Sequence, residues 1–222
     1  IDAGASYIYK NYSDIWTLEQ KIVAADRNDN DFFGFSVSIS EDKLIVGAYN
    51  ESENEFGLET VVGAGSAYLF GNNLGVWSQV NKVVSPERAE HDRYGFSVSI
   101  SGDYAIVGAF FEDEDDLESN HLDFSGSAYI LKYQDEVWQQ SNKITALDRR
   151  EQDYFGISVA VCDTVIIVGA KQQDFDSTGG GVEENEAGAA YFFKLALRDI
   201  VVMQDDFQIA NASTYELDPV IA

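Results

Sequence analysis

Two acidic loops hold the residues of this chain best suited to bind a ligand. Asp174-Phe175-Asp176-Ser177-Thr178-Gly179 sets oxygens at alternate positions before a glycine turn, and Asp113, Asp115 and Asp116 crowd a second loop. Hard oxygen donors at this density suit calcium, so Asp174, Asp176 and Thr178, and Asp113, Asp115 and Asp116, are the candidate metal ligands. A later acid placed for bidentate binding is missing after Thr178, and a hydrated acidic loop is the simpler alternative.

Catalytic chemistry has less to draw on. The two histidines, His91 and His121, stand in no recognisable metal or nucleophile motif. Carboxylates are abundant, but no pair is singled out as acid and base. Cys162, the one cysteine, follows the apolar run Val159-Ala160-Val161 and is expected to be a buried, inert thiol. No catalytic residue is assigned, and the chain is not expected to be an enzyme.

The 222 residues carry 14 basic against 39 acidic side chains, a net charge of −25. Such a charge repels nucleic acid and acidic membrane surfaces and favours cations or basic partners. The apolar stretches are too short to cross a bilayer as helices. With 45% apolar and 13% aromatic residues the chain is a folding one.

What positions the loops is a repeat. Gly34, Gly95 and Gly156 stand 61 residues apart, each preceded by an aromatic. Trp16, Trp77 and Trp138 keep the same spacing, as do Arg27, Arg88 and Arg149, then Asp31, Asp92 and Asp153, then Gly47, Gly108 and Gly169. A period of this kind means stacked supersecondary units that complete one another's cores. Each unit holds four strand signals. Phe35-Ser36-Val37-Ser38-Ile39 alternates, with small serines that would let another sheet come close. Leu44-Ile45-Val46-Gly47-Ala48 is apolar on both faces, as for a sheet packed between two others. A Gly-x-x-Tyr strand and a strand carrying Trp and Lys follow. Recurrence in every unit assigns the Arg and Asp series to ion pairs tying loop to loop, and the Trp series to packing.

These residues resemble the FG-GAP repeat. Phe33-Gly34 through Val46-Gly47-Ala48, Tyr94-Gly95 through Val107-Gly108-Ala109, and Phe155-Gly156 through Val168-Gly169-Ala170 are similar to its two halves. The resemblance implies an all-β propeller of four-stranded antiparallel blades, often seven in number, with roles in ligand binding, adhesion and scaffolding. Calcium-binding relatives carry an acidic loop between the two halves. Here only a tight turn, Ser40-Glu41-Asp42-Lys43, stands there, so that calcium site is not carried over.

The chain accounts for about three and a half blades over residues 1–205, with 206–222 expected to be a linker or the start of another domain. The last unit is degenerate, with Ile200 and Asp205 where Trp and Lys are expected. The expectation is a secreted or cell-surface binding or adhesion module that meets a protein or glycan on an acidic loop face, its open edges completed by further blades or a second copy. A piece of an extracellular fibre and an accessory domain of a secreted hydrolase are the alternatives.

Overall fold

The computed structural model describes residues 1–114, 121–174 and 187–195, together with the backbone of 203–206. Fourteen strands and no helix occur among these residues, as the alternating patterns require. A two-stranded sheet, β1 (Ser6–Tyr12) and β2 (Ile15–Ile22), comes first. The first four-stranded sheet is β3 (Ser36–Ser40), β4 (Lys43–Ala48), β5 (Ser66–Asn73) and β6 (Val76–Val83). The second is β7 (Ser97–Ser101), β8 (Tyr104–Ala109), β9 (Ser127–Gln134) and β10 (Val137–Ile144). The third is β11 (Phe155–Cys162), β12 (Val165–Ala170), β13 (Ala189–Lys194) and β14 (Met203–Asp206).

Each four-stranded sheet is an antiparallel meander in chain order. A bulge recurs at one repeat position, between Ile8 and Tyr9, between Leu69 and Phe70, and, on the partner strand opposite Ile130 and Leu131, between Gln140 and Asn142. A bulge adds local twist, so each outer strand pair turns away from the inner one. The fourth strand of the last sheet is described at Met203–Asp206. Residues 207–222 lie outside the described residues.

The sheets fan from their first strands. β3 lies beside β7, and β7 beside β11, while the outer strands touch more sparsely. The serines make the close contact. Ser36 Oγ donates to the carbonyl of Gly95 at 2.8 Å, and Ser97 Oγ to that of Gly156 at 2.7 Å. In the opposite sense, the amides of Ile100 and Gly102 donate to Ser38 and Ser40, and those of Val161 and Asp163 to Ser99 and Ser101, all at 3.0–3.1 Å. An exposed strand edge is thereby satisfied by its neighbour's hydroxyls.

Between the sheets lie three apolar cores. One joins Ile22 and Ala24 to Leu44, Val46 and Phe70. The next joins Ile45 and Leu69 to Val98 and Ile100, and the last joins Ile106 and Ile130 to Val161 and Ile166. Ile45 and Ile106 are fully buried, each contributing about 1.5–3 kcal/mol.

Two expectations change at the outer flanks. Val165 and Ile167 are 42% and 37% exposed, because among the described residues no further sheet covers the third. Cys162 is exposed for the same reason: it takes the place of Ser40 and Ser101, whose hydroxyls meet the next sheet.

The two motif glycines of successive units meet. A Cβ on Gly47 would lie 1.9 Å from the carbonyl oxygen of Gly95, and one on Gly108 2.0 Å from that of Gly156. A Cβ on Gly169 would meet only the side chain and backbone of Ser158 in its own sheet, the hydroxyl at 2.4 Å. Gly47→Ala and Gly108→Ala are therefore expected to cost at least about 2 kcal/mol in chemical denaturation, with Gly169→Ala costing less than half as much. Equal costs at the three positions would contradict backbone-to-backbone packing.

Candidate functional site

In an antiparallel meander the first strand starts, the second ends and the third starts at one end of the sheet. The loops 49–65, 110–126 and 171–188 therefore share that end with the inter-sheet connections, as their hydrogen bonds show. His91 N–H donates to Val62 O, and Tyr154 N–H to Phe124 O.

A repeated polar clamp locks this end. Lys82 Nζ lies 2.7 Å from Asp26, in the connection of the preceding sheet, and 3.0 Å from Glu51, in the loop of its own sheet. Lys143 repeats the arrangement with Glu87 at 2.7 Å and Glu112 at 3.4 Å. Both ammonium groups and both loop glutamates are nearly sealed from solvent. Tyr129 donates its hydroxyl to Glu112, and Ser85 donates to Tyr129. In the third unit Gln173 replaces the glutamate, and with Tyr191 it donates to Asp148 at 3.0 and 2.9 Å. The buried cation and the buried anion are thus lost together, as a low-dielectric site requires.

Arg88 and Arg149 tie loop to loop through backbone and hydroxyl oxygens. Arg88 Nη2 donates to Ser52 O at 2.6 Å and Nη1 to Glu59 O at 3.4 Å; Arg149 reaches Asp113 O at 2.7 Å and the hydroxyl of Ser125. Asp31, Asp92 and Asp153 instead accept the backbone amides of Asn28, Ala89 and Arg150, closing the turn that precedes each first strand. The spacing of three residues, short for a carboxylate to return to its own turn, favours this backbone bond. Arg27 has no hydrogen bond among the described residues. The tryptophans divide as well: Trp77 and Trp138 are 7% and 3% exposed and pack as expected, whereas Trp16 is 67% exposed.

Burial raises the three turn aspartates, to about 6 for Asp31, with Glu51 adding repulsion, and to about 7 for Asp153, with Asp148 adding to it. Asp92, with Glu112 beside it, is pushed higher still.

Of the candidate metal ligands, Asp115, Asp116, Asp176 and Thr178 lie outside the described residues. Asp174 is half-buried, and Asp113 accepts the Phe124 amide at 2.5 Å. Asp113, His121 and Asp123 can bring one ligand atom each within 4.8 Å of one another. His121 already bridges Glu114 and Asp123 at 2.9 Å each, which raises its pKa. A nitrogen donor there suits zinc better than calcium. Asp26, Glu51 and Glu53 also converge, but the Lys82 ammonium already lies among them.

Aromatic side chains cross the same end in a continuous belt. Phe32 stacks on Tyr49 at 5.4 Å, Tyr49 meets Phe35 at 4.5 Å, and Phe35 meets Phe96 at 4.8 Å. Phe96 continues to Phe110 at 4.3 Å and Phe110 to Phe111 at 4.1 Å; Phe124 and Tyr154 close the run. Arg93 lies over Tyr49 and Lys171 over Tyr154. Sequence reasoning passed over this belt, although Phe35 and Phe96 follow one motif glycine, and Tyr49 and Phe110 the other motif, at the repeat spacing.

The aspartate shifts have a sign that can be measured. An acid raised by folding stabilises the protein below its unfolded value, about 3.9, and that stability is lost as pH climbs through the folded value. The thermal midpoint should fall between about pH 4 and pH 8 in 0.5 M salt, which screens the general negative charge. Asp31, Asp92 and Asp153 replaced together by Asn should flatten that slope, and an unchanged slope would refute the assignment. The clamp gives a second test: Lys143→Met should cost about 3 kcal/mol and Glu112→Gln should recover a good part of it. Additive costs would show that the two groups do not interact.

The FG-GAP repeat matches residues 16–70, 77–131 and 138–193. No curated protein matches the chain. No helix among the described residues is long and apolar enough to cross a membrane. The three repeats span most of the sequence, each joining the last strand of one sheet to the first three strands of the next, and the chain belongs to the FG-GAP repeat family.

Proposed function

We propose that the chain is a non-catalytic binding or adhesion module of a secreted or cell-surface protein, and that its partner docks on the loop end of the sheets. The aromatic belt running from Phe32 to Tyr154 carries this reading. It crosses three units at the end where the acidic loops between second and third strands meet the inter-sheet connections. Aromatic faces flanked by carboxylates attract lysine and arginine side chains, by cation–π contact and by charge. The favoured partner is therefore a protein segment rich in basic residues, and a glycan stacked on the same rings is the competing occupant.

Phe35 and Phe124, 51% and 39% exposed, are the belt residues open to a partner. A basic peptide probe should bind with an affinity that falls steeply between 50 and 300 mM salt, and Phe35→Ala or Phe124→Ala should weaken it about threefold each without moving the thermal midpoint by more than a few degrees. Titration calorimetry with the peptide and with neutral oligosaccharides decides the matter. Oligosaccharide binding lost in the same variants would assign the belt to a glycan, and belt variants that bind every probe unchanged would end the proposal.

A further inference from the structure

One glutamine keeps its partner in the first unit and loses it in the next. Gln79, on β6, accepts the backbone amide of Ala25 at 3.0 Å and so ties an outer strand to the connection behind it. At the same repeat positions in the following unit stand Gln140, on β10, and Pro86. Proline has no N–H to give. Gln140 Oε1 is buried with no hydrogen-bond partner. A polar atom left in this state costs the fold free energy that a donor from outside would recover.

The unpaired glutamine stands at a pocket. Gln140 and Pro86 line a space of about 600 Å³ together with Phe56, Leu58 and Arg88. One wall of it is a braced loop. Asn54, itself buried, accepts the amides of Phe56 and Leu58 at 3.0 Å each, and Arg88 holds the carbonyls of Ser52 and Glu59 at the base of the loop. The loop so fixed leaves Phe56 and Leu58 73% and 82% exposed. Large apolar side chains held out in this way mark an interaction site. Apolar walls with a few convergent polar groups are the usual make-up of a ligand pocket.

We propose that this pocket binds a short extended peptide segment of a partner protein. The segment lays an apolar side chain on Phe56 and Leu58 and donates a backbone N–H to Gln140. A lysine or arginine next to that residue faces Glu55 and Glu59, which line the same pocket. The donor is a backbone amide because the equivalent glutamine takes one from Ala25. Gln140 is partly exposed, and the terminal torsion of a glutamine is broad, so the amide can turn its oxygen to the pocket. A sugar hydroxyl is the competing donor, but aliphatic Leu58 and Pro86 beside the Phe56 ring favour an apolar side chain over a sugar face. None of these residues belongs to the aromatic belt, so this site and the belt stand or fall separately.

The peptide acetyl-Ala-Leu-Lys-amide is the probe, with a twin methylated on the leucine nitrogen. Each is titrated into the isotope-labelled chain and followed by NMR. The side-chain amide signals of Gln140 and the backbone signals of Phe56 and Leu58 should shift with the first peptide, and the methylated twin should bind about tenfold more weakly. Pro86→Ala, at an exposed position, gives Gln140 the internal donor that Gln79 has. It should bring the first peptide down to the level of its twin, and Gln140→Leu should do the same. Phe35→Ala should alter none of this. No shift at millimolar peptide, a twin that binds as well as its parent, or a preference that survives Pro86→Ala would overturn the proposal. Shifts lost in Phe35→Ala would assign the peptide to the belt, and a neutral oligosaccharide moving these signals where the peptide does not would give the pocket to a glycan. Either result overturns it likewise.

Discussion

The architecture depends on how closely two backbones can approach. The carbonyl of Gly95 sits where a side chain on Gly47 would be, and that of Gly156 where one on Gly108 would be. Only glycine leaves that space, so the two halves of the repeat motif are one steric device seen in successive units. The close approach brings the inner strands into hydrogen-bonding range of the neighbouring serines. It also aligns the apolar faces of adjacent sheets, and each sheet becomes part of the next one's core.

Once the inner strands are fixed, the loop end follows. The polar clamp is a second tie between the same units, made from a lysine on an outer strand, an acid in the connection behind it and a glutamate in the loop beside it. A buried ammonium between two carboxylates is a costly arrangement to leave half made. The third unit shows the alternative: neutral Gln173 and Tyr191 hold Asp148 by ordinary hydrogen bonds. The belt of rings lies beside this rigid frame, and a surface so held keeps its shape while it waits for a partner.

Most of the fold was legible in the sequence, because Gly, Ser and Trp recurred at positions where packing tolerates little else. The four strands of each unit, the close-approach role of the serines and the shortened turn at Glu41-Asp42 were all readable from spacing. What depended on neighbours was not. Trp16 matches its repeat partners and Cys162 follows an apolar run, yet both are exposed because a flank is open. The aspartates at 31, 92 and 153 stood at a distance from arginine that suggested ion pairs, but each returned to the backbone of its own turn. The belt went unnoticed because its residues come from loops and strand ends of three units, and proximity across units leaves only a faint trace in one chain.

The claim beneath the whole account is that neighbouring sheets dock through their first strands. Amide hydrogen exchange tests it residue by residue, since the outward amides of these edge strands have no partner except the next sheet. The amides of Ile100, Gly102, Val161 and Asp163, bonded to serine hydroxyls of the preceding sheet, should exchange slowly, while those of Ile39 and Glu41, at the same repeat positions on the open flank, should exchange at close to the free rate. Fast exchange at all six positions would mean that the sheets do not dock in this way.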